Sequence, residues 1–97
     1  MSTIKYSISL SPPKIDPDQR FQQGLALHQK GQLAQAKTIY QEVLRSRPSH
    51  ADALHLLGVI ELHFEAPALA VELISKSIAV FPNNPGSHLN LGNAEKA

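Results

Sequence analysis

The sequence predicts an all-α fold made of antiparallel helix pairs, with about five helices. Glycine recurs every 34 residues, at Gly24, Gly58 and Gly92. Other residue types keep the same interval, namely Ala36 and Ala70, Pro48 and Pro82, Leu44 and Ile78, and Leu57 and Leu91. A period of this length, carrying apolar residues at helical spacing, is typical of helical repeat proteins.

The first repeat unit, residues 17–50, contains two predicted helices. Asp16 is a predicted N-cap, with Gln19 reaching back to it in a capping box and Pro17 at the first helical position. This helix runs to about Lys30 and stops at Gly31, which suits the left-handed conformation after a helix end. Apolar residues then follow at helical spacing until Pro48, at Leu33, Ala36, Ile39, Tyr40, Val43 and Leu44.

The second unit, residues 51–84, repeats this plan, and residues 85–97 supply the first helix of a third unit. Ser49 followed by Asp52 predicts one helix start, and Pro67 suits the first turn of the return helix. Asn84 with Pro85 opens the last helix. Residues 1–16 are expected to form a flexible N-terminal arm, with a tail lying in the groove as the alternative.

The three periodic glycines predict close contacts between paired helices. Glycine inside a helix costs about 1 kcal/mol relative to alanine. Since helices that approach closely require small residues at the crossing, we expect Gly24, Gly58 and Gly92 to pack against Ala36 and Ala70.

This pattern resembles the tetratricopeptide repeat (TPR) family. The residues that carry the resemblance are Gly24, Ala36, Tyr40 and Pro48 in the first unit, Gly58, Ala70, Ile74 and Pro82 in the second, and Gly92 in the third. The resemblance implies a right-handed superhelix of helix pairs that acts as a non-catalytic interaction module. The stretches 24–36 and 50–58 are also similar to N-terminal arrays of bacterial O-GlcNAc-transferase-like proteins, where such an array would dock substrates.

Several residues depart from the family pattern. Arg20 and Gln23 are polar where large apolar residues are usual, which is typical of a terminal cap. Glu61 and Ser77 interrupt the apolar pattern of the second unit. Glu65 replaces the glycine between two helices, so we expect strain or a changed geometry in that turn.

The resemblance also implies a concave partner-binding groove along the first helix of each unit. Its predicted lining is Asp18, Phe21, Leu25, His28, Gln29, Asp52, His55, Val59, Leu62, His63, Leu89 and Asn93. An exposed strip of Phe21, Leu25, Val59 and Leu62 would favour an apolar or amphipathic protein or peptide partner. The alternative is that the arm or self-association buries some of these residues.

Two known variants of the groove fit the sequence poorly. One variant binds a partner's C-terminal carboxylate with Lys, Asn and Arg side chains. The corresponding positions here hold Phe21, Leu25, Leu56, Gly86 and Asn90, and only Asn90 is of a matching residue type. An asparagine ladder would match Asn90 but neither Gln22 nor Leu56.

Composition and motifs indicate no other chemistry. There is no cysteine, the net charge is +1, and no basic block suggests nucleic acid or a membrane surface. His55 and His63 are too far apart to share a metal ion, and no catalytic or cofactor motif is present. We therefore expect a cytoplasmic adaptor that is not an enzyme, a docking segment of a larger transferase, or a homodimer joined at the open C-terminal end around Leu91 and Ala94.

Overall fold

The fold of the chain is a series of five helices, described for residues 15–97 by a computed structural model. In chain order the helices are α1 (Pro17–Gln29), α2 (Leu33–Ser46), α3 (Ala51–His63), α4 (Pro67–Val80) and α5 (Pro85–Lys96). Residues 1–14 lie outside the described residues, and so do both interpretations of the N-terminal arm.

The helices pack mainly against their neighbours in the chain. α1 packs against α2, α3 against α4, and α5 against α4, while α2 also contacts α3 and joins the two units. The stripe predicted for α2 is confirmed at its centre, because Ala36, Ile39, Tyr40 and Val43 are all buried. Each short connection therefore reverses the chain and forms a helix pair.

The core is divided between the units. The larger cluster joins α1, α2 and α3, with Leu73 contributed by α4. The smaller cluster contains Ala70 and Ile74 of α4 and Ala94 of α5, with Leu91 packed against it. Leu91 and Ala94, the residues on which the dimer expectation rested, pack against α4, and a dimer stays a prediction.

The glycines of the first two units lie where paired helices meet. A Cβ atom at Gly24 would be 2.8 Å from Cε1 of Tyr40, and one at Gly58 would be 2.6 Å from Cγ1 of Ile74. The expected close approach is confirmed at both positions, and the Ala70 carbonyl oxygen lies 3.2 Å from the Cβ position of Gly58 as expected, although the nearest atoms belong to Tyr40 and Ile74. The prediction was wrong for Gly92, where an added Cβ would have no atom of another element of residues 15–97 within 4 Å.

The predicted helix starts are confirmed for α1 and α5 and wrong for α3. Asp16 is the N-cap residue of α1 and Pro17 follows it, as predicted, but the Asp16 side chain makes no capping bond. α3 is capped by His50, whose Nδ1 accepts a hydrogen bond from the Ala53 amide at 3.2 Å, and not by the predicted Ser49. The α5 cap is confirmed, since Asn84 Oδ1 accepts a hydrogen bond from the Gly86 amide at 3.0 Å.

The polar residues that interrupt the second unit's apolar pattern are buried, and each has a polar partner. The Glu61 carboxylate lies 3.1 Å from Nζ of Lys37 on α2, so this ion pair ties α3 to the preceding unit. The Ser77 hydroxyl donates a hydrogen bond of 2.8 Å to the Ala51 carbonyl. Both side chains therefore connect helices in place of apolar contacts.

The two turns inside the helix pairs have left-handed backbone. Gly31 adopts this conformation with φ of 80°, as predicted. Glu65 has φ of 62° at the corresponding turn of the second unit, although it carries a Cβ atom. The second turn thus has the same backbone geometry as the first, but Glu65 is strained. The left-handed conformation costs a residue other than glycine about 1–2 kcal/mol.

We expect Glu65→Gly to raise the free energy of unfolding by up to about 1 kcal/mol. Relief of the left-handed strain exceeds the entropy that glycine adds to the unfolded chain. The matched control is Glu72→Gly, an exposed glutamate inside α4, which should lower it by about 1 kcal/mol. Equal losses for the two variants in urea denaturation would contradict the strain at Glu65.

Candidate partner-binding surface

The first helices of the three units lie side by side. The ring of His50, just before α3, is 5.0 Å from the ring of Phe21 on α1. Asn90 of α5 is bonded to His55 of α3 at 2.8 Å. α1, α3 and α5 therefore form one side of the molecule. Their partly or fully exposed side chains, which we call the first-helix surface, include Leu25, Leu56, Val59, Leu89 and Asn93.

The twelve predicted groove residues fall into three groups by exposure. Phe21 and His55 are buried, and Leu25, His28, Val59 and Leu62 are half-buried. The exposed members are Asp18, Gln29, Asp52, His63, Leu89 and Asn93. Partner binding by any of them stays a prediction, but the expected exposed strip is shorter than the sequence suggested.

Phe21 belongs to the core and was wrongly predicted to be exposed. Only 5% of it is exposed, and its ring stacks on that of Tyr40 with centroids 5.5 Å apart. Its counterpart His55 is 8% exposed, whereas Leu89, at the same position of the third unit, is 67% exposed. Phe21 packs against Tyr40 and His50, and His55 is bonded to Asn90 of the third unit, whereas no further unit covers Leu89 among residues 15–97.

Asp18 is exposed but already has intramolecular partners. Its Oδ1 lies 3.0 Å from Nε2 of His50 and 3.0 Å from Nη2 of Arg47. Because His50 Nδ1 accepts the Ala53 amide, the imidazole proton is on Nε2 and is donated to Asp18. The carboxylate therefore links α1 to the start of α3, a role that the sequence did not indicate.

His28 is held by the buried Tyr40. Nδ1 of His28 is 3.1 Å from the Tyr40 hydroxyl. Burial raises the pKa of Tyr40 to about 12 and lowers the pKa of His28. The Tyr40 phenol therefore stays protonated, and its hydroxyl donates a hydrogen bond to Nδ1 of the neutral His28 imidazole. His28 thus helps to hold α1 against α2. Its side chain is therefore only partly available at the predicted groove.

His55 and Asn90 join α3 to α5. The Asn90 side-chain amide donates to Nε2 of His55, which places the imidazole proton on Nδ1. Burial lowers the pKa of His55, and the nearby Asp52 carboxylate opposes this shift only in part. Asn90 is the residue that matched an asparagine ladder. One N–H group of its side-chain amide is thus already used in a hydrogen bond within the protein.

The two lowered histidine pKa values predict a loss of stability in acid. The unfolded chain takes up protons near the ordinary pKa of 6.5, before the folded protein does. The stability that neutral His28 and His55 contribute to the folded protein is fully present above pH 6.5. It is lost as the pH falls from that value through their lowered pKa values. We expect His55→Gln to flatten the decline in unfolding free energy between about pH 7 and pH 5. A decline as steep in His55→Gln as in the wild type would contradict the assignment.

The N-terminal face of the first unit carries an open cleft of about 730 Å³ with both polar and apolar walls. One wall is the ion pair of Arg20 with Glu42, with 2.7 Å between Nη2 and Oε2, and Ile15, Pro17 and Val43 complete the lining. This face is distinct from the first-helix surface. Its charged pair agrees with the terminal cap that Arg20 suggested.

Residues 15–97 contain neither a cluster typical of a metal site nor a membrane-spanning helix. No group of three or more His, Asp or Glu side chains among them could hold a metal ion. None of the five helices is long and apolar enough to cross a membrane.

Comparison with known proteins identifies the repeat. A family model described as tetratricopeptide repeat matches residues 21–88. A search of curated proteins finds no match. Among solved structures, a MamA double mutant (MamA RS-1 ArsTM) is 30% identical with a TM-score of 0.78 over 87% of this chain and 47% of its own. YrrB, a TPR protein with an unusual peptide-binding site, is 30% identical with a TM-score of 0.69 over 84% of this chain and 40% of its own.

The chain spans less than half the length of both solved proteins. Their likeness confirms the predicted all-α TPR superhelix. Neither is a named transferase, so the similarity to O-GlcNAc-transferase-like arrays stays a prediction. The family model covers most of the chain and includes all the residues of the first two units that carried the pattern from Gly24 onward. The chain belongs to the tetratricopeptide repeat family.

Proposed function

We propose that the chain is a protein-interaction module that binds a partner peptide or protein along the first-helix surface. Proteins of the family are generally non-catalytic scaffolds, and the similar YrrB has a peptide-binding site. The observation that carries the proposal is the set of half-buried apolar side chains on this surface. Leu25 on α1 and Leu56 and Val59 on α3 remain accessible after the units have packed.

The composition of the surface defines the partner's chemistry. Its centre is apolar, and α5 adds the exposed Leu89 and the amide of Asn93. The Asp18 carboxylate is engaged by His50 and Arg47. We therefore infer a partner segment with recurring apolar side chains, whose recognition depends little on charge. A cytoplasmic location is part of the proposal, supported by the absence of cysteine.

Selection from a peptide display library tests this proposal. Peptides enriched on the wild-type protein should bind Val59→Lys at least about ten-fold more weakly, because a desolvated ammonium group would face their apolar side chains. The matched control is Leu69→Lys, which changes an exposed leucine on α4. Circular dichroism should show both variants folded. Equal affinity of the two variants would refute binding at the first-helix surface.

A further inference from the structure

The outer face of α4 carries an exposed apolar side chain near each of its ends. Leu69 is 40% exposed and Val80 is 48% exposed. They are separated by about three helical turns, so both lie along one line of the helix. The corresponding positions of α2, one repeat earlier, hold the polar residues Gln35 and Ser46. The outer face of the second unit is therefore apolar where that of the first unit is polar.

This face lies outside the surfaces through which the units stack. Gln35 and Ser46 are exposed although a complete second unit follows α2. Leu69 and Val80 are exposed although the first unit precedes α4. Neither a preceding nor a following unit therefore covers these positions, and their exposure within residues 15–97 does not depend on the number of units.

Two opposite charges lie between the apolar ends of this face. Nζ of Lys76 is 3.4 Å from Oε1 of Glu72, and both side chains are more than half exposed. A solvent-exposed pair of this kind contributes little to stability, so either group can accept a second ionic partner. The exposed residues beside the pair are small, which permits the close approach of another helix. They are Ala68, Ser75 and Ala79.

The order of these residues makes the face complementary to itself. Along α4 an apolar residue is followed by a negative charge, a positive charge and a second apolar residue. An antiparallel copy of α4 therefore places Leu69 opposite Val80 of the second copy, and Glu72 opposite its Lys76. Such mutual matching is what a two-fold interface requires.

We propose that the outer face of α4 binds the same face of a second copy of the chain, antiparallel and about a two-fold axis near the middle of the helix. A contact made by one helix of 14 residues is smaller than a standard interface, so we expect a Kd on the order of 100 μM. The first-helix surface belongs to other helices, so this self-association does not rest on the proposed peptide binding.

Sedimentation equilibrium of the full chain between about 10 μM and about 1 mM should show a monomer–dimer equilibrium. Leu69→Lys should raise the Kd about ten-fold or more, because an ammonium group would lose water against an apolar side chain. The matched control is Gln35→Lys at the equivalent exposed position of α2, which should leave the Kd unchanged. Leu69→Lys should still bind library-selected peptides like the wild type, which separates this proposal from the proposed function.

An exchange of charges tests the antiparallel match. Glu72→Lys and Lys76→Glu should each weaken self-association about ten-fold, because each brings four like charges together. A mixture of the two variants should form a heterodimer at least as tight as the wild-type dimer, since two positive charges then face two negative ones. Recovery on mixing would also show that neither variant is misfolded.

Three results would overturn the proposal. One is a chain that stays monomeric up to about 1 mM. Another is a dimer whose Kd is the same in Leu69→Lys as in the wild type, which would place the contact elsewhere, for example around Leu91 and Ala94. The third is the absence of a heterodimer when Glu72→Lys and Lys76→Glu are mixed.

Discussion

Gly58→Ala should lower the free energy of unfolding by about 2 kcal/mol, whereas Gly92→Ala should raise it by about 1 kcal/mol. The two glycines are equivalent in sequence, and only their surroundings differ. A methyl group at Gly58 would lie 2.6 Å from Ile74 and 3.2 Å from the Ala70 carbonyl, so α4 must move away. At Gly92 the methyl group meets no atom of another element within residues 15–97, and only the better helix propensity of alanine remains.

Urea denaturation of the variants at matched concentration measures this difference in sign. Gly24→Ala is a second control and should also lose stability, since its methyl group would lie 2.8 Å from the Tyr40 ring. A gain at Gly58, or losses of similar size at all three positions, would show that the helix crossings are not as close as described.

His50→Ala should destabilise the protein by about 3 kcal/mol, from lost packing, a lost cap and a lost hydrogen bond to the exposed Asp18. Only 4% of His50 is exposed, and its ring packs on Phe21 between the two units. It also caps α3 through Ala53 and donates to Asp18. One substitution therefore removes contacts to α1 and to the start of α3 together.

Two further variants separate these contributions. His50→Ser keeps an acceptor for the α3 cap and should recover about 1 kcal/mol relative to alanine. Asp18→Ala removes only the exposed end of the network and should cost about 1 kcal/mol or less. Thermal or urea unfolding gives the comparison. If His50→Ala cost no more than Asp18→Ala, the contact of His50 with Phe21 would contribute little.

The repeat could be predicted from the sequence because close helix crossings restrict residue type. Gly24 and Gly58 must lack side chains to admit Tyr40 and Ile74, and this requirement recurs at the same place in the first two units. The left-handed backbone at Glu65 was also foreseeable, since the first unit has glycine at the equivalent turn. These features depend on local geometry that the 34-residue period makes visible.

The exposure of the candidate site could not be predicted in the same way. Phe21 and His55 lie on the same helical face as Leu25 and Val59, and helical spacing cannot tell which of them the next unit covers. His50 gave no signal either, because histidine is not among the preferred N-cap residues. Its role depends on Asp18 and Phe21, which are about thirty positions earlier in the chain, and such distant contacts leave no short-range pattern.

We propose that α1, α3 and α5 carry the partner-binding surface. Chemical shift mapping of ¹⁵N-labelled protein with a library-selected peptide tests it most directly. If the first-helix surface binds the peptide, we expect the largest amide shifts at Leu25, Leu56 and Val59 and smaller shifts on α2 and α4. Shifts concentrated on α2 and α4, with Leu25 and Val59 unmoved, would contradict it and place the binding surface on the opposite side of the helix pairs.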